Sequence, residues 1–377
     1  MNETDDQWVK RRFGLSRRDF LSFCGRIGVT LGLSSVAGIE IAKAVTDPER
    51  PPVVWLSGQE CTGCTASLLQ AHHPDLAELL LDIISLEYSE TLSAAAGDRL
   101  EANRQRVLKD YADRYLVVVE GAIPTKDGGI YCKVAGHPFI DLVRETVAHA
   151  AAVVGIGSCA AWGGVAASGS NPTGAVGVGK IVTDKPVVNI PGCPPNPYNF
   201  LATLLHFITY KRLPELDRMQ RPKFAYGVAI HENCERRPHF DAGRFALEFG
   251  DEGHRKGWCL YKLGCKGPET YANCPAILFG DVGGGAWPVG VGHPCFGCTE
   301  GGVGFTKPVH ALAEVKEPTP PASYPEIDGE HGVGVSPGAA ALLAGVAGTV
   351  IGAGSVILRD MSKRRHPGPD SETEEKQ

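Results

Sequence analysis

The chain has 377 residues, 43% hydrophobic and 21% charged, with 43 acidic against 37 basic side chains and a net charge of −6. That is enough for two domains with a sizeable core, too apolar for wholesale disorder, and without the basic footprint of a nucleic-acid binder. Twelve cysteines are many for a reduced cytosolic enzyme and too few for a small disulfide scaffold, which directs attention to metal ligation.

The first feature along the chain is Ser16-Arg17-Arg18-Asp19-Phe20-Leu21, followed by thirteen uncharged residues from Ile27 to Ile39. That run is too short to span a bilayer, which takes about 20 apolar residues. With Ala42-Lys43-Ala44 as a cleavage site, residues 1–44 read as a twin-arginine export signal cut before Val45. Cleavage removes Cys24 and leaves eleven cysteines. A leader of this type implies export of a protein already folded around its cofactors, so export alone does not argue for disulfides.

Four apolar, β-branched runs follow: Val53 to Leu56, Leu116 to Val119, Ala152 to Ile156 and Val187 to Ile190. Helix-like stretches lie between them, among them Ala66 to Leu81 and Pro138 to Ala151. This alternation predicts an α/β domain over residues 45–225, a doubly wound parallel sheet covered on both faces. Three of the four runs lead into cysteine: Cys61 and Cys64 after the first, Cys159 after the third and Cys193 after the fourth. Ligands of an open parallel sheet collect beyond the carboxyl ends of its strands, so these four thiols can converge. Four thiolates suit either zinc or an iron-sulfur cluster. Neither a phosphate-binding GxGxxG after a strand nor a Walker loop is present.

Residues 226–316 lose this pattern to Gly, Pro and Cys, which predicts a domain held together by something other than a large core. One division of its ligands groups His231, Cys234, Cys259 and Cys265, leaving Cys274, Cys295 and Cys298 as a three-thiolate set. Three thiolates are what a 3Fe-4S cluster requires. Cys132 is left over as a small core residue. Glu60 reads as a solvated or structural carboxylate, or as one that moves protons or tunes the neighbouring metal site, and Glu235, Arg236 and Arg237 as a solvated face or a docking rim.

Glu317 to His331 reads as a linker. Gly332 to Leu358, 27 residues without a charge, is a transmembrane candidate, since even Pro337 to Leu358 covers about 30 Å as a helix. Arg359, Lys363, Arg364 and Arg365 place the tail, 359–377, in the cytoplasm and the body across the membrane.

The order CTGC, GSCAAWGG, IPGCPPNP, HENC, Cys259, Cys265, NCP, WPVG and HPCFGC resembles the small subunit of a nickel-iron uptake hydrogenase over nearly the whole chain. Leader, anchor and HENCERRPHFDAGRF most resemble the membrane-bound hydrogenase-2 type. The resemblance implies a flavodoxin-like domain with a proximal 4Fe-4S cluster on Cys61, Cys64, Cys159 and Cys193. It also implies an irregular cluster domain, with a medial 3Fe-4S on Cys274, Cys295 and Cys298 and a distal 4Fe-4S on His231, Cys234, Cys259 and Cys265. Pro288 takes the place of a fourth medial ligand. The function implied is electron transfer from H2 oxidation in an obligate large subunit to a membrane or ferredoxin-like acceptor subunit, with quinone beyond it, on the periplasmic side of the bacterial inner membrane. Nucleic acid is not an expected partner. Oxygen-tolerant relatives carry two extra cysteines where this chain has Gly63 and Gly164, which implies an oxygen-sensitive enzyme. A proximal-cluster subunit of an NADH-quinone oxidoreductase or energy-converting hydrogenase would resemble the N-terminal domain alone, and a membrane-anchored zinc protein is the reading from a different class.

Overall fold

The computed structural model describes residues 50–324 apart from His73, together with Cys24 and Gly25. Five parallel strands form the central sheet: β1 (Pro52–Ser57), β2 (Ser85–Ser89), β3 (Leu116–Glu120), β4 (Ala152–Ile156) and β5 (Val187–Ile190). Their order is β2-β1-β3-β4-β5, the doubly wound order that reverses direction between β1 and β3. The four apolar runs are β1, β3, β4 and β5. The edge strand β2, Ser-Leu-Glu-Tyr-Ser, lies outside the sequence expectation because it carries no continuous apolar run.

Alternation along β1 feeds both faces of the sheet. Val53 and Trp55 join one apolar cluster with Leu68, Phe200, Leu201 and Leu205. Val54 and Leu56 join another with Phe139, Leu142 and Val143. Burying such side chains gains about 1.5–3 kcal/mol each, so the sheet has a core on each side without help from a metal. Cys24, within the predicted leader, is fully buried in the first cluster.

The helices lie largely where expected, with one break. Phe139–Val147 is helical, but Ala66 to Leu81 is not one helix. It begins as α1 (Gly63–Ser67), tightens into a 3₁₀ turn at Leu68–Gln70 and restarts at Leu76. Pro74 cannot continue a helix that precedes it, and Asp75 with Glu78 forms a capping box at the restart.

After the helix Pro197–Tyr210 regular structure shrinks to short helices and 3₁₀ turns. This part is tied to the sheet by polar contacts. Asn196 Nδ2 donates to the carbonyls of Ile277 and Leu278 at 3.0 and 2.9 Å. Buried Arg221 donates to Thr299 O at 2.7 Å and Glu300 Oε2 at 2.9 Å. Among the described residues no helix is long and apolar enough to cross a membrane. The predicted anchor, residues 332–358, and most of the predicted leader lie outside the described residues.

Candidate metal centres

The first centre forms at the carboxyl ends of the strands beside the switch point. Cys61 and Cys64 sit where β1 turns into α1, and Thr62 takes the left-handed conformation there, φ 61°. Glu120, the last residue of β3 and 1% exposed, fixes this turn. It accepts from Cys64 N at 3.0 Å, Thr65 N at 3.1 Å and Trp55 Nε1 at 3.0 Å, and from the Thr65 hydroxyl. Gly157, just after β4, has φ +85°, and a Cβ there would fall 2.4 Å from Cys64 Sγ, so only glycine lets these two loops meet. Burial, then Glu120, then Cys159, Cys193 and Cys61 raise the Cys64 thiol. Cys193 is pushed up to about 11 by burial, then by Cys298, Cys159 and Cys61. The four thiols are therefore mutual electrostatic neighbours. Cys61 and Cys193 are exposed, which leaves this centre open on one side.

The second set, Cys274, Cys295 and Cys298, lines a cavity of about 490 Å³ together with Trp287, Pro288 and Cys193. Burial pushes Cys274 up to about 11 and Cys298 up to about 12. Ser158, at the start of the helix after β4, donates to Cys298 O at 2.6 Å and accepts from Gly192 N at 3.1 Å, so one hydroxyl joins the first centre's loops to the second's.

His231, Cys234, Cys259 and Cys265 line a third, enclosed cavity with Arg236 and Arg237. Burial, then Arg237, lowers the His231 imidazole to about 4, which keeps it neutral and able to ligate at neutral pH. Its Nε2 is buried with no partner among the described residues. Burial pushes Cys259 up to about 12. Backbone N–H groups already face the sulfurs, Arg236 N to Cys234 Sγ at 3.4 Å and Cys295 N to Cys265 Sγ at 3.3 Å.

The second and third sites share one chemistry: thiols whose burial raises them, so that they hold their protons unless a cationic centre offsets the burial. Thiol-rich donor sets are soft ligands and, with an orphaned imidazole nitrogen, fit iron-sulfur groups.

Other residues fall apart from the three sites. Cys132 packs against the sheet's second apolar cluster. Glu60 Oε2 is buried and without a partner among the described residues, and burial followed by Glu120 raises its carboxyl. The solvated-face reading of Arg236 and Arg237 is corrected: they are 8% and 0% exposed, because their guanidinium groups bond inward to Trp258 O and Asp241. Glu120 was missed, its only sequence signal being a lone acid closing an apolar run.

Comparison with known proteins fits this geometry. A family model described as NADH ubiquinone oxidoreductase, 20 Kd subunit, matches residues 61–207, and one for the C-terminal part of the NiFe/NiFeSe hydrogenase small subunit matches residues 226–310. The Hydrogenase-2 small chain of Escherichia coli (strain K12) is 56% identical over 96% of this chain and 97% of its own. The chain belongs to the NiFe hydrogenase small-subunit family. The second match decides against an oxidoreductase subunit similar only in its N-terminal part. Among further members, the periplasmic [NiFe] hydrogenase small subunit 1 of Nitratidesulfovibrio vulgaris is 49% identical over 77% of this chain and 90% of its own. The [NiFeSe]-hydrogenase structure from Desulfomicrobium baculatum superposes with a TM-score of 0.63 at 35% identity, covering 70% of this chain and 99% of that one. As a hydrogenase small subunit, the chain is part of an oxidoreductase complex with a large subunit, and members of this family carry iron-sulfur clusters.

Proposed function

We propose that this chain conducts electrons between the nickel-iron site of its large subunit and a membrane acceptor through a proximal 4Fe-4S, a medial 3Fe-4S and a distal 4Fe-4S cluster. The observation that carries the reading is adjacency. Cys193 of the first set also lines the cavity of the second, and Cys295 of the second set donates its N–H to Cys265 of the third. Bound in these sites, the clusters would accept and release electrons one at a time.

The chain's own residues set the conditions for that traffic. Eleven ligands hold the groups in order: Cys61, Cys64, Cys159 and Cys193; then Cys274, Cys295 and Cys298; then His231, Cys234, Cys259 and Cys265. Pro288 stands at the corner lacking a medial ligand. Buried ligands exclude water at the third site, whereas exposed Cys61, Cys193 and Val165 leave the first to be covered by the large subunit, in an extensive obligate interface.

Residues 1–44 direct folded export and residues 332–358 tether the enzyme on the periplasmic side of the inner membrane. The next carrier is a membrane or ferredoxin-like acceptor subunit that delivers electrons to quinone. Replacing Arg17 and Arg18 by Lys retains the precursor in the cytoplasm, and normal export of that variant would refute the leader. The relay itself is tested with Cys265→Ser in the assembled complex: hydrogen-isotope exchange at the large subunit persists, while H2-driven reduction of the membrane acceptor collapses. Acceptor reduction at the wild-type rate would overturn the reading.

A further inference from the structure

Arg237 is a fully buried cation whose three nitrogens are treated differently. Nε donates to both carboxylate oxygens of Asp241 at 3.0 Å. Nη2 donates to the carbonyls of Thr319 at 2.9 Å and Pro318 at 3.4 Å. Nη1 is buried and has no partner among the described residues, and Arg237 lines the cavity enclosed by His231, Cys234, Cys259 and Cys265. An open N–H on a buried guanidinium is costly unless an acceptor meets it.

What holds the guanidinium comes from the start of the linker. Pro318 and Thr319 take Nη2, and Tyr324 Oη donates to Asp241 Oδ2 at 3.0 Å, steadying the counter-ion that takes Nε. The cation also lies over the Phe240 ring, 5.7 Å from its centroid. Phe240 in turn meets His231 edge to face at 4.5 Å. Both the charge and the ligand ring are thus positioned by one packed group.

We infer that residues 318–324 are a positioning element for the distal site: they clamp Arg237 so that Nη1 and its charge face the group held by the four ligands. This rests on the three-cluster reading. A fixed positive charge and a hydrogen bond favour the more negative, reduced state, because net charge and hydrogen bonds to the sulfurs set the potential. The linker that leads toward the tether thereby sets the potential at the electron exit.

The test is a potentiometric titration followed by electron paramagnetic resonance on the purified complex with its large subunit, alongside iron content. Arg237→Met lowers the distal midpoint potential and leaves the proximal and medial ones in place. Arg237→Lys, which keeps the charge and the fold, gives a smaller downward shift. A chain ending at Glu317 keeps the charge and the Asp241 pair but loses the clamp, so it shows a downward shift smaller than that of Arg237→Met, and adding Arg237→Met to it gives the shift of Arg237→Met alone, whereas a chain ending at Tyr324 behaves as wild type. An unmoved distal potential in the chain ending at Glu317, or in Arg237→Met, overturns the proposal while a wild-type iron content of about 12 atoms per complex, the nickel-iron site included, keeps the cluster reading. A wild-type content of about 8 per complex with no distal signal breaks both.

Discussion

The sheet region and the segment after Tyr226 bury cysteine for opposite reasons. In the sheet, the two apolar clusters are built from strands and helices, and of the predicted ligands only Cys64 packs against them; the ligands ride on loops at the strand ends. After Tyr226 the apolar cluster itself contains Cys234, Cys265 and Cys295, and regular structure is scarce. The first region has its core without any bound group, whereas in the second the thiols are themselves part of the core, so its stability is expected to depend on what they bind, as in small metal domains.

The largest expected effect follows from that difference. Removing iron with a chelator under mild denaturation opens residues 226–316 to protease while the sheet region stays resistant, as mapped by mass spectrometry of the fragments. Equal loss of both regions would break the comparison. Next in size, Pro288→Cys supplies a fourth thiolate to the medial cavity and moves the 3Fe-4S signal towards that of a 4Fe-4S cluster at lower potential. Retention of the 3Fe-4S signal would mean that Pro288 is not at the vacant corner.

A third effect separates two glycines of the first centre. Gly164 has φ +49°, and a Cβ there would lie 2.7 Å from Cys159 Sγ, while at Gly63 the nearest atom, Cys61 Sγ, is 3.1 Å away. Gly164→Cys therefore destabilises the sheet region by about 1–2 kcal/mol from backbone strain and disturbs the Cys159 ligand, whereas Gly63→Cys is the milder change; urea denaturation compares them. With no extra thiolate at either position, the wild-type complex loses H2 oxidation under air and recovers it on reduction. Sustained activity in air would show that ligand count at this centre does not decide the behaviour.

The smallest effect belongs to the sheet region alone. Burial holds the His206 imidazole below its ordinary value of 6.5, so the unfolded chain binds that proton more readily. Its contribution to stability is complete above about pH 6.5 and is lost as pH falls below it. His206→Gln flattens this slope in pH-dependent unfolding of the sheet region and leaves the protease sensitivity of residues 226–316 unchanged.

The same contrast explains what could be read from the sequence. Strands β1, β3, β4 and β5 announce themselves as β-branched runs because both of their faces are buried. The edge strand β2 mixes Ser and Glu with its apolar residues and does not. Convergence of Cys61, Cys64, Cys159 and Cys193 was legible because strand ends of a parallel sheet share one edge. The role of Glu120 was not, since its partners lie 55 to 65 residues away in the chain. Arg236 and Arg237 look like surface charge in sequence. The i,i+4 spacing to Asp241 signals an ion pair for Arg237, but only the carbonyls of Trp258, Pro318 and Thr319, which no local pattern signals, show why both are buried.

The most direct test of the account is the iron content of the purified complex together with its oxidised paramagnetic resonance spectrum. About 12 iron atoms per complex, about 11 in the three clusters and one at the nickel-iron site of the large subunit, and a 3Fe-4S signal are predicted from eleven ligands in three adjoining sites, with Cys132→Ser changing neither. About 9 iron atoms per complex and no such signal would contradict the three-site arrangement.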